Sequence, residues 1–171
     1  ILPSEKFDTP IISVGNITVG GTGKTPFTEY LVRLLQPGNQ VGVLSRGYKR
    51  KTSGYVVSTE SSTPEEIGDE PSQIKQKFPN VLLAVDANRR RGIKKMLNEP
   101  NKPDVFILDD AYQHRYVKPD ISILLIDYNR MITEDSLMPL GQLREPLKSK
   151  NRANIVVVNK CPSDIKPIEF R

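Results

Sequence analysis

Val14-Gly15-Asn16-Ile17-Thr18-Val19-Gly20-Gly21-Thr22-Gly23-Lys24-Thr25-Pro26-Phe27 is the stretch that decides the fold. An apolar run, Ile11 to Val14, leads into a glycine-rich loop, and the loop ends in Lys24-Thr25 where a helical pattern begins. Strand, loop and helix start, in that order, can aim several backbone N–H groups at one point, which suits a chain of phosphates. Gly20, Gly21 and Gly23 have no Cβ, so the backbone can take positive φ and approach an anion closely. Lys24 adds a charge able to reach the β and γ phosphates, and Thr25 offers a hydroxyl for Mg²⁺. Pro26 falls in the first helical turn, where its missing N–H forfeits no intrahelical bond. Thr18 stands where the general pattern G-x-x-x-x-G-K-[ST] has glycine. The simpler alternative, an ordinary glycine-rich turn, leaves the ordered Gly-Lys-Thr and the helix behind it unexplained.

Working outward, Thr25 to Leu35 carries Phe27, Tyr30, Leu31, Leu34 and Leu35 at helical spacing, closed by Pro37-Gly38. Val41 to Leu44 reads as a buried strand running into Ser45-Arg46-Gly47-Tyr48-Lys49-Arg50-Lys51, and Tyr55 to Ser58 as a more peripheral one. The polar tract Thr59 to Pro64 predicts a loop. A helical pattern follows Ile67-Gly68-Asp69-Glu70-Pro71 through Ile74 and Phe78. Val81 to Val85 predicts a strand ending in Asp86, and Asn88 to Leu97 a basic helix. Val105 to Leu108 and Ile121 to Ile126 predict further strands, ending in Asp109-Asp110 and Asp127. Met131 to Lys148 is loop-rich, and Ile155 to Val158 is the last strand, followed by Asn159-Lys160-Cys161-Pro162. Short unbroken apolar strands alternating with helices predict an α/β fold, a three-layer sandwich of the P-loop NTPase kind with a mostly parallel central sheet. In such sheets ligands sit beyond the carboxyl ends of the strands, where nearly every polar cluster of this chain lies.

At 171 residues the chain suits a single domain with a substantial core. No apolar run reaches the roughly 18 residues of a membrane span. The lone Cys161 excludes an internal disulfide and a cysteine metal cluster, and is expected as a small core-side residue. A net charge of +5 points to anionic partners without naming one, and no zinc spacing or RNA-binding aromatic motif singles out nucleic acid. Arg46, Lys49, Arg50 and Lys51, with Arg89 to Arg91, read either as solvated faces or as contacts to a phosphate or an anionic membrane surface. Asp109 and Asp110, directly after an apolar strand, fit the acidic position that holds Mg²⁺ opposite a phosphate loop.

Five blocks carry a resemblance over almost the whole chain. They are the Val14 to Pro26 loop, Leu44-Ser45-Arg46-Gly47-Tyr48, Gly68-Asp69-Glu70-Pro71, Asp109-Asp110-Ala111-Tyr112-Gln113-His114, and Pro139-Leu140-Gly141-Gln142-Leu143-Arg144-Glu145-Pro146. In order, they resemble tetraacyldisaccharide 4′-kinase, the bacterial lipid A enzyme that phosphorylates a lipid disaccharide at the inner membrane. The resemblance implies ATP and Mg²⁺, transfer of the γ-phosphoryl to a sugar hydroxyl, and a location at the cytoplasmic face of the inner membrane. The expected partners are a lipid disaccharide phosphate and the anionic membrane surface, and not nucleic acid. By motif, Thr18, Val19, Gly20, Gly21, Thr22, Gly23, Lys24 and Thr25 would hold the phosphates. Thr25 with Asp109 or Asp110, joined by Glu145, would hold the metal. Asp69 matches the family's base position, although a helix N-terminal acid favoured by the dipole is an equal reading. Arg46, Tyr48 and Gln113 are candidate acceptor contacts, and His114 is expected to be structural.

The family also carries an N-terminal membrane helix and a C-terminal portion that supplies a histidine partner for the base. Neither is in these 171 residues, so the chain is expected to be one kinase domain of a longer protein. Two other functions remain open from sequence. Asn159-Lys160 after a late strand suggests a guanine-reading switch, although Pro162 stands where such loops have aspartate. A non-catalytic module that binds anions would leave Lys24-Thr25 and Asp109-Asp110 without a task.

Overall fold

The computed structural model describes residues 3–164. Among these residues seven strands form one sheet: β1 (Ile11–Gly15), β2 (Val41–Ser45), β3 (Val56–Val57), β4 (Leu82–Val85), β5 (Val105–Leu108), β6 (Ile121–Asp127) and β7 (Ile155–Asn159). Their order across the sheet is β3-β4-β2-β5-β1-β6-β7. Every pairing is parallel except that of β3 with β4, so the expected peripheral strand is an antiparallel edge. The parallel strands are nearly continuous Val, Ile and Leu because both faces are covered.

On one face lie α1 (Lys24–Leu35), the short α2 (Pro64–Ile67) and α3 (Asp69–Lys77), packing Leu31, Val32, Ile67 and Ile74 on Val14, Val43, Leu83 and Ile107. On the other, α4 (Arg89–Met96) seats Ile93 and Met96 on Leu44, Ala84 and Phe106. Beside α4, Tyr112, Ile132, Leu143 and two 3₁₀ turns, Ile132–Glu134 and Leu147–Arg152, cover Leu124 and Ile126. The expected three layers are present, and no helix among the described residues is long and apolar enough to cross a membrane.

Three local expectations need correction. The stretch Thr59 to Pro64 is not all loop, because Pro64 opens α2 on a capping box made by Thr63 and Glu66. In α1 the buried stripe is Thr28, Glu29, Leu31 and Val32, while Tyr30 and Leu34 are exposed. Thr28 and Glu29 turn inward because each has a partner there, Asp109 for the hydroxyl and Lys77 with Gln73 for the carboxylate. Cys161 is exposed rather than core-side, since it lies past the end of β7 on a turn with Lys160 at φ 60°.

Parallel registration brings the strand ends together. Asp86 N–H donates to Ser45 O, Asp109 N–H to Leu44 O, and Ala111 N–H to Val14 O, each at 3.0 Å. The loops after β1, β2, β4 and β5 therefore leave the sheet side by side. Gly15 is required for this closeness, since a Cβ there would come within 2.7 Å of the Tyr112 Cβ.

Candidate active site

The glycine-rich loop spans β1 and α1. Gly20 and Gly23 have φ of 98° and 85°, as a nest of amides needs. Gly23 precedes α1 in a left-handed conformation and no side chain caps the helix. Among the described residues, the amides of Gly20, Gly21, Thr22 and Gly23 donate to no backbone or side-chain acceptor. A helix start with open amides and no acidic residue in its first turn presents partial positive charge that suits an anion. Thr18 and Thr22 turn away from solvent. Both are buried, Thr18 in an antiparallel bridge to Leu143 and Thr22 accepting a hydrogen bond from Asn16 Nδ2 at 3.0 Å.

Lys24 points from the helix start to Asp110, Nζ to Oδ1 3.6 Å. Asp110 is held at φ 48°, and its carboxylate is part exposed. Asp109 is fully buried, and both of its oxygens are taken, Oδ1 by the Thr28 hydroxyl at 3.1 Å and Oδ2 by the Ser45 hydroxyl at 3.3 Å. Burial, then the neighbouring Asp110 carboxylate, hold its carboxyl above the usual aspartate range. The twin aspartates thus divide the work: Asp109 ties β5 to α1 and β2, and Asp110 faces the lysine.

Asp69 opens α3 and is exposed. Gly68 before it packs on the backbone of Gly47 and Tyr48, so α3 begins beside the loop after β2. Glu70, next along, is exposed but crowded on one side by protein; that partial desolvation and then Asp109 push its carboxyl above the ordinary glutamate range, with Lys24 opposing. Sequence reasoning passed over Glu70, although it sits in the same Gly-Asp-Glu-Pro block. The signal was an acidic pair of which only one member was given a task.

Glu145 is set apart from this group. Its carboxylate pairs with Arg152 at 2.6 Å, and the Arg152 guanidinium lies 4.8 Å from the Tyr112 ring centre. The expected metal set is therefore not assembled as a whole, and among the described residues no three His, Cys, Asp or Glu converge on a metal-sized point. A Mg²⁺ ion requires less than that: oxygen donors, one or two carboxylates, substrate phosphates and retained waters. The Thr25 hydroxyl and Asp110 carboxylate are hard oxygen donors beside the open amides, and they fit it.

The basic residues separate. Arg46 and Gln113 are exposed, Tyr48 is 70% exposed, and Lys49 lies over the Tyr48 ring. Arg50 is folded into its own loop, donating to Thr52 Oγ1 and Gly54 O. The helix triplet is not an anion-facing surface. Arg89 is only 2% exposed and donates to the carbonyls of Asp86 and Asp109, and burial lowers its pKa to about 10. Arg91 is bidentate on Asp86, and Arg90 lies over the Tyr116 ring. Strand-end carbonyls and Asp86 claim two of these guanidiniums at the amino end of α4. His114 is half-buried against Tyr116, and burial and then Arg89 lower its pKa. A cleft of about 830 Å³ lies elsewhere, over β1 and β6, lined by Ser13, Ser122, Tyr112 and Arg152. In the glycine-rich loop Gly20 and Gly21 are exposed.

Comparison with known proteins agrees with this geometry. The family model described as tetraacyldisaccharide-1-P 4′-kinase matches residues 1–170. A tetraacyldisaccharide 4′-kinase of Parabacteroides distasonis is 57% identical over 100% of this chain and 47% of its own length. One from Phocaeicola vulgatus is 58% identical with the same coverage. A crystal structure from Aquifex aeolicus, described as an "apo" form of LpxK in complex with ATP, superposes with a TM-score of 0.87 at 40% identity, over 99% of this chain and 53% of that one. The chain spans about half the length of the curated relatives it matches.

Proposed function

Because the chain belongs to the tetraacyldisaccharide 4′-kinase family, we propose that it is the nucleotide-binding part of a lipid kinase that transfers the γ-phosphoryl of ATP to the 4′-hydroxyl of a lipid disaccharide 1-phosphate. One observation carries the reading: the unpaired amides of Gly20 to Gly23 lie at the start of α1, with Lys24 and Asp110 beside them. The amides and Lys24 hold the phosphates, and Thr25 with Asp110 holds Mg²⁺, which when bound neutralises phosphate charge. Asp109 positions the turn that presents Asp110. Asp69, exposed at the start of α3, accepts the proton of the attacking sugar hydroxyl. Phosphoryl transfer needs positioning and charge neutralisation more than covalent catalysis, and this residue set supplies both.

The acceptor is anionic and acylated. Exposed Arg46, Lys49 and Tyr48 beyond β2, and exposed Leu137, Met138 and Leu140 on the segment bonded to the phosphate loop through Val19 and Gln142, suit such a molecule at the anionic face of the inner membrane. Nothing favours the guanine-reading alternative, since Pro162 stands where such a loop needs its aspartate.

The test is transfer of labelled phosphate from ATP to a tetraacyl disaccharide 1-phosphate, with calorimetry of MgATP binding. Binding that Lys24→Ala weakens on the order of 10- to 100-fold, and GTP that competes poorly, are the expected results. A Lys24→Ala chain that binds ATP as well as the parent would end the proposal.

A further inference from the structure

The Asn159-Lys160 pair has no role in the transfer described above, yet it touches the phosphate loop. Asn159 Nδ2 donates to Thr22 O at 2.9 Å, and Lys160 Nζ to Gly21 O at 2.6 Å. From the end of β6, Arg130 donates to Val19 O at 2.7 Å. Lys160 is itself fixed by Asp127 at 2.7 Å, whose carboxyl the lysine holds below the usual range. Three donors from the carboxyl ends of β6 and β7 thus grip three carbonyls within four residues of loop.

The loop's peptide bonds are trans. In a trans peptide the C=O of one residue and the N–H of the next point in opposite directions. Fixing the carbonyls of Val19, Gly21 and Thr22 toward β6 and β7 therefore turns the N–H groups of Gly20, Thr22 and Gly23 away from them. Those are amides without a protein acceptor among the described residues. Asn159 also crowds Gly23, where a Cβ would come within 2.9 Å of its Nδ2. A loop with three glycines has many conformations to lose when it closes on phosphates, and an external brace removes that cost from the binding step.

We propose that Asn159 and Lys160, with Arg130, are positioning residues: they brace the phosphate loop by its carbonyls and so aim its amides at the nucleotide phosphates. The inference rests on the nucleotide-binding reading above and predicts how that site is held in shape.

The experiment is calorimetric titration of the purified chain with MgATP and, separately, with inorganic tripolyphosphate, which has no base to contact. Asn159→Ala, which changes no charge, is expected to weaken both ligands about five- to tenfold. Lys160→Met is expected to weaken both by at least as much, and Lys160→Arg to recover most of the loss because it can still donate to Gly21 O and pair with Asp127. Hydrogen exchange in the peptide covering Gly15 to Thr28 should speed up in Asn159→Ala and Lys160→Met without any ligand, with exchange in the β1 and β5 strands unchanged. Loss for ATP but not tripolyphosphate would overturn the brace in favour of direct base contact. Unchanged affinity for both ligands, or unchanged exchange, would overturn it outright. Lys24→Ala is the control: if it too leaves both affinities intact, the nucleotide reading has failed, and the exchange result alone judges the brace.

Discussion

Helices α1 and α4 both start at the carboxyl end of a parallel strand, both carry cations at their amino ends, Lys24 in α1 and Arg89 to Arg91 in α4, and they do opposite things there. The start of α1 is left open: Gly23 offers no cap, the loop amides are unpaired, and Lys24 leans into the gap. The start of α4 is closed by its own residues. Asn88 accepts from Arg91 N–H, Arg91 clamps Asp86, and Arg89 is buried on two strand-end carbonyls. Each helix also buries one charge, Glu29 in α1 and Arg89 in α4, to fix itself to its neighbours. An anion site is therefore marked by amides without partners, and a count of positive residues would have chosen the wrong helix.

The largest effect should come from the buried charge of α4. Arg89→Ala leaves a cavity and frees the carbonyls of Asp86 and Asp109, and thermal or urea unfolding should show a loss of about 3–5 kcal/mol. A loss under 1 kcal/mol would mean that α4 does not depend on this closure. Next, Lys24→Ala should weaken ATP binding by about 1.5–3 kcal/mol, on the order of 10- to 100-fold, while hardly changing stability. Asn88→Ala should cost about 1 kcal/mol of stability through the lost cap and leave ATP affinity unchanged, the reverse pattern from Lys24.

The charge in α1 is testable by pH. Burial alone would raise the Glu29 carboxyl, but the hydrogen bonds from Lys77 and Gln73 outweigh it and leave its pKa below the ordinary glutamate value of 4.5. A depressed acid contributes stability that is present above its unfolded pKa and is lost as pH falls through the folded one. Relative to Glu29→Gln, the parent should be more stable at neutral pH, and the gap should narrow only below about pH 4.5. A gap independent of pH would show that packing, not charge, holds α1 to α3. Smallest of all, Lys94→Gln removes a surface pair with Glu5 and should alter stability by no more than about 0.5 kcal/mol and ATP affinity not at all. A severalfold drop in affinity would reopen α4 as an anion-binding face.

The elements were legible because each strand is an unbroken apolar run and the glycine loop states its own conformation. Even the edge position of Val56 and Val57 showed, as a short run among polar residues. Helix faces were less legible. In α1 the inward positions include Thr28 and Glu29, polar residues whose partners Asp109 and Lys77 come from distant segments, so a search for apolar spacing put Tyr30 and Leu34 inside instead. Within the site, Asp110 lies 3.6 Å from Lys24, and the division between a buried Asp109 and an open Asp110 was invisible in the sequence, because neighbouring aspartates look alike until hydroxyls from β2 and α1 claim one of them.

The amino-acid sequence alone determined the strand-loop-helix that makes a phosphate cradle, the parallel sheet and the acidic strand end opposite the loop, since these follow from local residue types and their order. Tertiary structure decided which cations are free, which aspartate faces Lys24, and what grips the loop from behind. Each depends on partners tens of residues or more away, such as Lys160 at Gly21 O and Arg89 at Asp109 O. Whether a charge binds a ligand or a carbonyl of its own chain is settled only when the strand ends come side by side.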